Sequence, residues 1–501
     1  MTTRELGRAE AEALLLDQIG QHSGGIRHTL SAFDAKSATT AWLAAWRGIE
    51  EFINIPMFGL DDMDVVRQLL AVRLDGLPMP MARVREMLSA ELAPTVIDRF
   101  VQTLTMAFAI GNGFRMHGLE GGEELRTVAG AVGYFQSRRR QMVALLYCMP
   151  GYCTGTQSVA TLDALNQFLP VVENSCVGLT SLYRHLIMAR IHDDFVLTVG
   201  PHWCHGNHFL ETLNEMFLEP ERVAITEVAR DRVDMAKLQQ CLPLPKGQIF
   251  SAAELCNDLM HMEASYAEFE LGKTAFGPMA RFIASCCQHV RNDYYIEISS
   301  ADLRGLMVLC GLSTVAQRRL VYGGASFEEA VNSFAPFINV GRTAVTTVTL
   351  LSRFAYSWKT FCLNKIKRFQ IRSGFIFEEE VKKALAQQGF VIANIKRIER
   401  QEFDVVATKD GVIYNVQCKN NLLDLARMEE NSKLFARYNV RLDKYYADAL
   451  RKEEGREELL RTKLGLSVVK HIVLSKFPVA TKNLRVMAFR EISQFSSRFA
   501  G

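Results

Sequence analysis

Residues 374–419 read GFIFEEEVKKALAQQGFVIANIKRIERQEFDVVATKDGVIYNVQCK, and the fold expected for the C-terminal part of the chain follows from these residues. Phe377, Val381 and Leu385 recur every four residues, which predicts a helix with one apolar stripe. The apolar run at residues 390–395 predicts a short buried strand after that helix. The stretch therefore begins with a helix and continues with strands.

A tight hairpin is predicted further along the same stretch. Asp410 and Gly411 stand between two runs rich in β-branched and aromatic residues, a pair typical of a two-residue hairpin turn. If they form the loop, Lys409 pairs with Val412, and the two residue numbers of every cross-strand pair sum to 821. Asp404 then lies opposite Gln417. Lys419 then lies diagonally from Asp404 on the same face. The alternating side chains are expected to point into the core, namely those of Val412, Tyr414, Val416 and Cys418.

An acid, an amide and an ammonium group thus converge on the hairpin, and the preceding helix adds a second acid, Glu378. The Asp404 carboxylate and the backbone carbonyl of Cys418 can hold a hard divalent cation such as Mg²⁺ or Mn²⁺. A bound metal polarises a phosphate and lowers the pKa of a bound water. Lys419 can orient that water or stabilise developing negative charge, and Gln417 can orient its neighbours or ligate weakly. These residue types suit phosphodiester hydrolysis.

The pattern G-x-x-F-E at Gly374–Glu378, then E-F-D ending at Asp404, then Q-x-K at Gln417–Lys419 resembles the PD-(D/E)xK nuclease superfamily. It is most similar to the Mrr-type restriction endonuclease branch, in which Gln replaces the usual acid before x-K. The resemblance implies a metal-dependent DNA endonuclease core. It extends from Gly374 to about Val473 and covers none of the first 360 residues. Phe403 stands where the family name has proline, and Gln417 removes one negative ligand.

A simpler interpretation competes with this one. Polar residues on an exposed hairpin face are commonly just a solvated surface, and any one of them alone would carry little weight. Glu378, Asp404, Gln417 and Lys419 match the family pattern in the right order, and the predicted hairpin brings the last three together. This combination favours the nuclease interpretation.

Length and composition bound the remaining possibilities. A chain of 501 residues predicts two or three domains. The sequence has no run of 18 apolar residues and no N-terminal signal-peptide pattern, so neither a membrane partner nor export is expected. The eleven scattered cysteines suggest reduced thiols in a cytoplasmic protein.

Charge is distributed unevenly along the chain. From residue 361 onward there are 27 Lys and Arg against 17 Asp and Glu, a net charge of +10, whereas the preceding residues carry 31 and 38, a net charge of −7. A basic domain favours a polyanionic partner such as DNA through phosphate contacts and counterion release. A lysine-biased solvated surface would give the same numbers.

The first 360 residues show mostly helical spacing, and Ser326 with Glu329 has the spacing of a capping box. We expect helical regions at 1–240 and 241–365, the second ending in one long linking helix over 342–370, and a nuclease-like domain at 366–501. The segment HWCHGNH, residues 202–208, has a composition like that of metal sites but lacks the spacing of a known zinc site.

The expected fold class is thus multidomain α and α/β. A mostly helical N-terminal region precedes a restriction-endonuclease-like domain with a central mixed sheet. The expected function is Mg²⁺-dependent cleavage of DNA, which the family resemblance connects with restriction or anti-phage defence. The helical region is expected to recognise DNA, sense a trigger or form a homo-oligomer. A repair or junction-resolving nuclease and a non-catalytic nucleic-acid-binding module are the alternatives.

Overall fold

The computed structural model describes residues 3–55, 63–74, 79–117, 124–201, 203–208, 221–420 and 432–500. Most of these residues are helical, and a mixed sheet lies in the C-terminal part, which agrees with the expected combination of α and α/β structure. Among the described helices, none combines the length and apolar character that crossing a membrane requires.

The helices that precede the C-terminal sheet run almost from the start of the chain. They cover Arg8–Leu30, Ala35–Asn54, Met63–Ala71, Met79–Leu88, Pro94–Met116, Val128–Tyr152, Ala164–Val171, Gly178–Ile191, Met235–Leu238, Ala252–Ser265, Phe276–Cys286, Ser300–Leu309, Thr314–Leu320, Phe327–Asn332 and Val348–Leu363. A π-helical segment covers Val172–Val177, and short 3-10 helices cover Glu124–Arg126, Thr161–Asp163, Arg230–Arg232, Ala267–Phe269, Leu271–Lys273 and Cys287–His289. The predicted capping box is confirmed, since Ser326 and Glu329 cap each other's backbone N–H groups.

Two small antiparallel sheets, which the sequence did not predict, accompany these helices. The first pairs β1 (Arg4–Gly7), β2 (Val196–Val199) and β3 (Cys204–Gly206) in that order. The second has the order β4-β5-β7-β6. Its strands are β4 (Val290–Arg291), β5 (Tyr295–Ser299), β6 (Ile338–Val340) and β7 (Thr343–Thr347).

The long linking helix expected over 342–370 is wrong. Thr343–Thr347 is strand β7, because the run TAVTTVT is dense in β-branched residues that favour a pleated conformation. The Thr347 side chain then caps a new helix, Val348–Leu363, by accepting from the Leu350 N–H at 3.2 Å. Ile366 is extended, and it separates that helix from the next one, Lys367–Gln387.

The core of this region is continuous. A single cluster of buried apolar residues extends from Ile26 to Phe369, so it includes residues on both sides of the division expected near residue 240. The three-part division of the chain stays a prediction.

The C-terminal part contains a five-stranded mixed sheet of order β14-β13-β12-β11-β8. Its strands are β8 (Val391–Ile392), β11 (Val405–Lys409), β12 (Val412–Lys419), β13 (Val468–Ser475) and β14 (Val486–Ala488). β8, β11 and β12 pair antiparallel, whereas β12, β13 and β14 pair parallel. A separate two-stranded ribbon joins β9 (Arg397–Ile398) to β10 (Gln401–Glu402). The strand expected over 390–395 is thus real but shorter.

The predicted hairpin is confirmed in turn and register. Lys409 pairs with Val412, and Val405 pairs with Val416, so paired numbers sum to 821. Asp410 and Gly411 both have positive φ, 50° and 74°, as a two-residue turn of type I′ requires.

Both faces of this sheet are covered by helices. On one face, Phe377, Val381 and Leu385 of the helix Lys367–Gln387 pack with Tyr414 and Val416, together with the C-terminal helix Phe495–Phe499. The other face carries the helices Ser432–Glu454 and Glu457–Leu464. The simpler interpretation of an exposed hairpin face is therefore wrong, because these helices bury most of it.

Candidate active site

The predicted residues gather at the C-terminal end of β12, the central strand. Asp404 immediately precedes β11, and Gln417 and Lys419 are the sixth and eighth residues of β12. Glu378 is in the middle of the helix Lys367–Gln387, which packs on the Tyr414 face. All four side chains are buried or half-buried, and none of them lies on a fully solvated face.

Asp404 is tied directly to the neighbouring strand. Its Oδ2 accepts a hydrogen bond from the Cys418 backbone N–H at 2.9 Å, just beyond the last residue pair of the hairpin, Val405 with Val416. Burial raises the pKa of the Asp404 carboxyl, although the nearby Lys419 ammonium and the Cys418 N–H act in the opposite direction. The Asp404 carboxylate is therefore fixed in position, but nearby positive charge offsets the cost of burying it only in part.

Glu378 shares this environment. Burial raises the pKa of the Glu378 carboxyl to about 7, and the negative charge of Asp404 contributes to the rise. Two carboxylates that repel each other across a half-buried space favour a cation between them, because the cation offsets both the repulsion and the burial cost. Oxygen ligands of this kind suit Mg²⁺ or Mn²⁺.

Gln417 and Lys419 form a second pair on the same strand. The Lys419 Nζ donates to the Gln417 Oε1 at 3.0 Å and lies 5.6 Å from the centre of the Tyr445 ring. Only 7% of the Gln417 surface is exposed, so its amide is a rigid acceptor. This geometry favours the orienting role of Gln417 over the ligating one, since its carbonyl oxygen already holds the lysine.

Cys418 lies between these two residues and faces the helix that carries Glu378. Burial, Asp404 and Glu378 all raise the pKa of the Cys418 thiol well above its ordinary value, so the sulfur stays protonated. Its backbone N–H is the group that contacts Asp404, and its carbonyl oxygen stays the predicted third ligand.

A groove of about 1210 Å³ opens onto the two acids. The helix Lys367–Gln387 and residues 396–404 form one side, and residues 223–233 of the preceding region form the other. Its lining has six basic side chains, Arg230, Arg372, Lys382, Lys383, Lys396 and Arg397, and six acidic ones, Asp231, Glu378, Glu379, Glu380, Glu402 and Asp404. The formal charge is balanced, so one bound divalent cation would make the groove net positive. Gln417 and Lys419 do not line it, but the Lys419 ammonium is close enough to Asp404 to oppose the rise in the pKa of that carboxyl.

Contacts that the sequence did not predict hold the surroundings of the site together. The Lys476 N–H donates to the carbonyl oxygen of Lys419 at 2.9 Å, and its Nζ donates to Glu227 Oε1 at 2.6 Å. This ion pair is buried and fixes the groove-lining segment beside the end of β12. Asn420 donates to Ser373 Oγ at 2.8 Å and so connects the strand end to the helix of Glu378. No local sequence pattern predicts these pairs, because the two partners of each pair are far apart in the sequence.

Comparisons with protein-family models, with curated proteins and with solved structures found no match to this chain. The nuclease resemblance therefore stays a prediction, and the functional argument depends on the site itself.

Proposed function

We propose that the chain is a divalent-metal-dependent endonuclease that hydrolyses DNA phosphodiester bonds. One observation carries the proposal. Glu378 and Asp404 come from separate elements and meet, half-buried, at a groove, and a lysine lies behind them on the neighbouring strand. Burial raises the pKa of both acids, and the charge of Asp404 adds to the rise at Glu378. Acids with raised pKa values at an accessible groove are typical of functional sites.

Each residue of the site has its own role in the proposed hydrolysis. Asp404, Glu378 and the Cys418 carbonyl would hold Mg²⁺ or Mn²⁺, which supplies Lewis-acid polarisation of the phosphate and an activated water. Lys419, held by Gln417, stabilises negative charge as it develops on the scissile phosphate. The basic side chains of the groove attract the DNA backbone. A role in restriction or anti-phage defence, a cytoplasmic location and a homo-oligomeric state are parts of the proposal that derive from the sequence alone.

The test is plasmid cleavage with and without Mg²⁺ or Mn²⁺, for the natural chain and for Asp404→Ala. We expect nicking or cutting that needs the metal and that the substitution abolishes. Asp448→Asn is the matched control, because Asp448 is an exposed acid paired with Arg451 on an outer helix, and it should cleave like the natural chain. Equal cleavage by the natural chain and by Asp404→Ala would refute the site.

The same assay separates the competing functions. Cleavage of branched but not plain duplex DNA would indicate a junction-resolving or repair nuclease. DNA binding that needs no metal, without cleavage and without any effect of Asp404→Ala, would indicate a non-catalytic binding module and overturn the proposal.

A further inference from the structure

A second group of potential metal ligands lies away from the groove, in the region before the C-terminal sheet. His192, Asp194 and His208 each offer one ligand atom, and these atoms all lie within 4.8 Å of one another. The His208 Nε2 is 2.8 Å from the Asp194 Oδ1, and the two imidazole rings stack with their centres 4.1 Å apart. Two nitrogen donors and one carboxylate oxygen thus lie close enough together to share one metal ion.

The fold holds these three residues in place. His192 directly follows the helix Gly178–Ile191, and its N–H is bonded to the Met188 carbonyl at 2.9 Å. Asn207, the chain neighbour of His208, is bonded to the segment of Asp194: its Nδ2 donates to the Asp194 carbonyl at 3.0 Å, and its Oδ1 accepts from the Val196 N–H at 2.9 Å. His192 therefore lies at a helix end, Asp194 just before β2 and His208 just after its antiparallel partner β3, which is a preorganised arrangement.

A cationic group already occupies this position. The Lys482 ammonium forms an ion pair with Asp194 Oδ1, the same oxygen that contacts His208. The Lys482 side chain is 51% exposed, so it can move into solvent when another cation takes its place. A further acid, Asp443, lies close by and accepts a hydrogen bond from Thr481, the neighbour of Lys482. Asp194 and Asp443 thus place two negative charges near the imidazole of His192.

We infer that His192, Asp194 and His208 form a binding site for a divalent transition metal such as Zn²⁺. Imidazole nitrogen is a ligand that Zn²⁺ favours and Mg²⁺ does not, so the site differs in its chemistry from the acids of the groove. Three protein ligands leave a position for a water, which is the arrangement of an open zinc site. The spacing within residues 202–208 gave no sign of it, because two of the ligands precede β2. Of the metal-like residues in that segment, only His208 takes part, and His202 lies outside the described residues.

The inference does not depend on the proposed nuclease activity, and its test keeps the two sites apart. Zn²⁺ binding is measured on full-length Asp404→Ala by equilibrium dialysis with elemental analysis. We expect one Zn²⁺ per chain, with affinity about 100-fold lower in His192→Ala and in His208→Ala. His117→Ala, which removes an exposed histidine elsewhere, should bind like its parent.

Two further measurements test the role of Lys482 and the identity of the ligand atoms. Lys482→Gln should bind Zn²⁺ roughly 2- to 5-fold more tightly, because it removes a competing exposed ion pair. Co²⁺ should give a spectrum without strong thiolate charge-transfer bands, since none of the three ligands is a cysteine. His208→Gln can still donate to Asp194 and replaces His208→Ala if that variant fails to fold. Undiminished binding in the histidine variants, a thiolate spectrum or no Zn²⁺ binding at all would overturn the inference.

Discussion

Two polar groups lie along the same central strand, and they differ in how their charges are compensated. In the middle of β12, Asn415 donates to Glu453 at 2.9 Å and lies 3.2 Å from His471, whose other ring nitrogen is 3.1 Å from Glu457. Each of these two acids also has an arginine partner, Arg456 for Glu453 and Arg461 for Glu457. At the end of the strand, by contrast, Glu378 and Asp404 repel each other.

The difference separates stability from function. Asn415, Glu453 and His471 are buried where the sheet meets the helices Ser432–Glu454 and Glu457–Leu464, and the charge of Glu453 is paired as a buried charge must be. The acids at the strand end face a groove and have raised pKa values, a state that costs stability until a cation arrives. Substitutions in the two groups should therefore affect different measurements.

The largest effect is expected at Lys419. Lys419→Ala should lower the rate of DNA cleavage about 100- to 1000-fold, because it removes the positive charge that stabilises the developing phosphate charge. Single-turnover cleavage at saturating Mg²⁺ measures the effect. Metal should still bind, since Asp404 and Glu378 remain.

Lys470→Ala provides the control for lost charge. Lys470 is an exposed lysine on the adjacent strand β13 and donates to the Phe499 carbonyl, away from the two acids. It should cleave at close to the natural rate. A similar loss in both variants would reduce the role of Lys419 to general attraction of DNA.

The next largest effect is expected on stability, at the buried ion pair between Glu227 and Lys476. Glu227→Gln leaves the Lys476 ammonium buried beside a neutral amide, so the free energy of unfolding should fall by about 3 kcal/mol. Urea denaturation or thermal melting measures the loss. Glu454→Gln, at an exposed pair with Arg485, should cost less than about 1 kcal/mol. Equal small losses in both variants would mean that the buried pair does not hold the groove segment.

The sequence predicted the parts of this site that depend on local rules. The register of the hairpin follows from the backbone that Asp410 and Gly411 require, and a register fixed to one residue also fixes Asp404 next to β12. The apolar stripe of Phe377 and its neighbours likewise determined which helix face packs on the sheet, and hence where Glu378 lies.

Features that depend on long-range packing were not predicted. Glu227 and Lys476 are 249 residues apart, and no spacing rule connects them. No local pattern indicated that the helix Ser432–Glu454 covers the second sheet face and buries Asn415. The strand Thr343–Thr347 was missed because apolar spacing favoured a helix, whereas its β-branched residues complete a sheet with distant partners.

The pH dependence of metal binding tests whether the raised pKa of Glu378 belongs to a metal ligand. Because the pKa of Glu378 is raised to about 7, its carboxyl is mostly protonated at pH 6 and must lose that proton to bind a cation. Affinity for Mn²⁺ should therefore rise about 10-fold per pH unit below pH 7 and level off above it. Calorimetry in buffers of different ionisation enthalpy should detect release of roughly one proton at pH 6 and almost none at pH 8.

Glu378→Gln is the control for this titration. It should weaken Mn²⁺ binding and remove the pH dependence near 7, because no carboxyl remains at that position to titrate. A pH profile that Glu378→Gln leaves unchanged would mean that Glu378 does not contact the metal.

The smallest effect is expected at Asn415, and it belongs to stability alone. Asn415→Ala removes the amide that donates to Glu453, yet Arg456 still pairs with that acid, so the loss should be about 1 kcal/mol in the free energy of unfolding. The cleavage rate per folded molecule should not change, since the groove does not reach Asn415. Urea denaturation and single-turnover cleavage on the same preparation measure both quantities. A fall in cleavage rate without a fall in stability would show that the network around Asn415 supports the chemistry at the strand end, and the two groups would then have to be regarded as one.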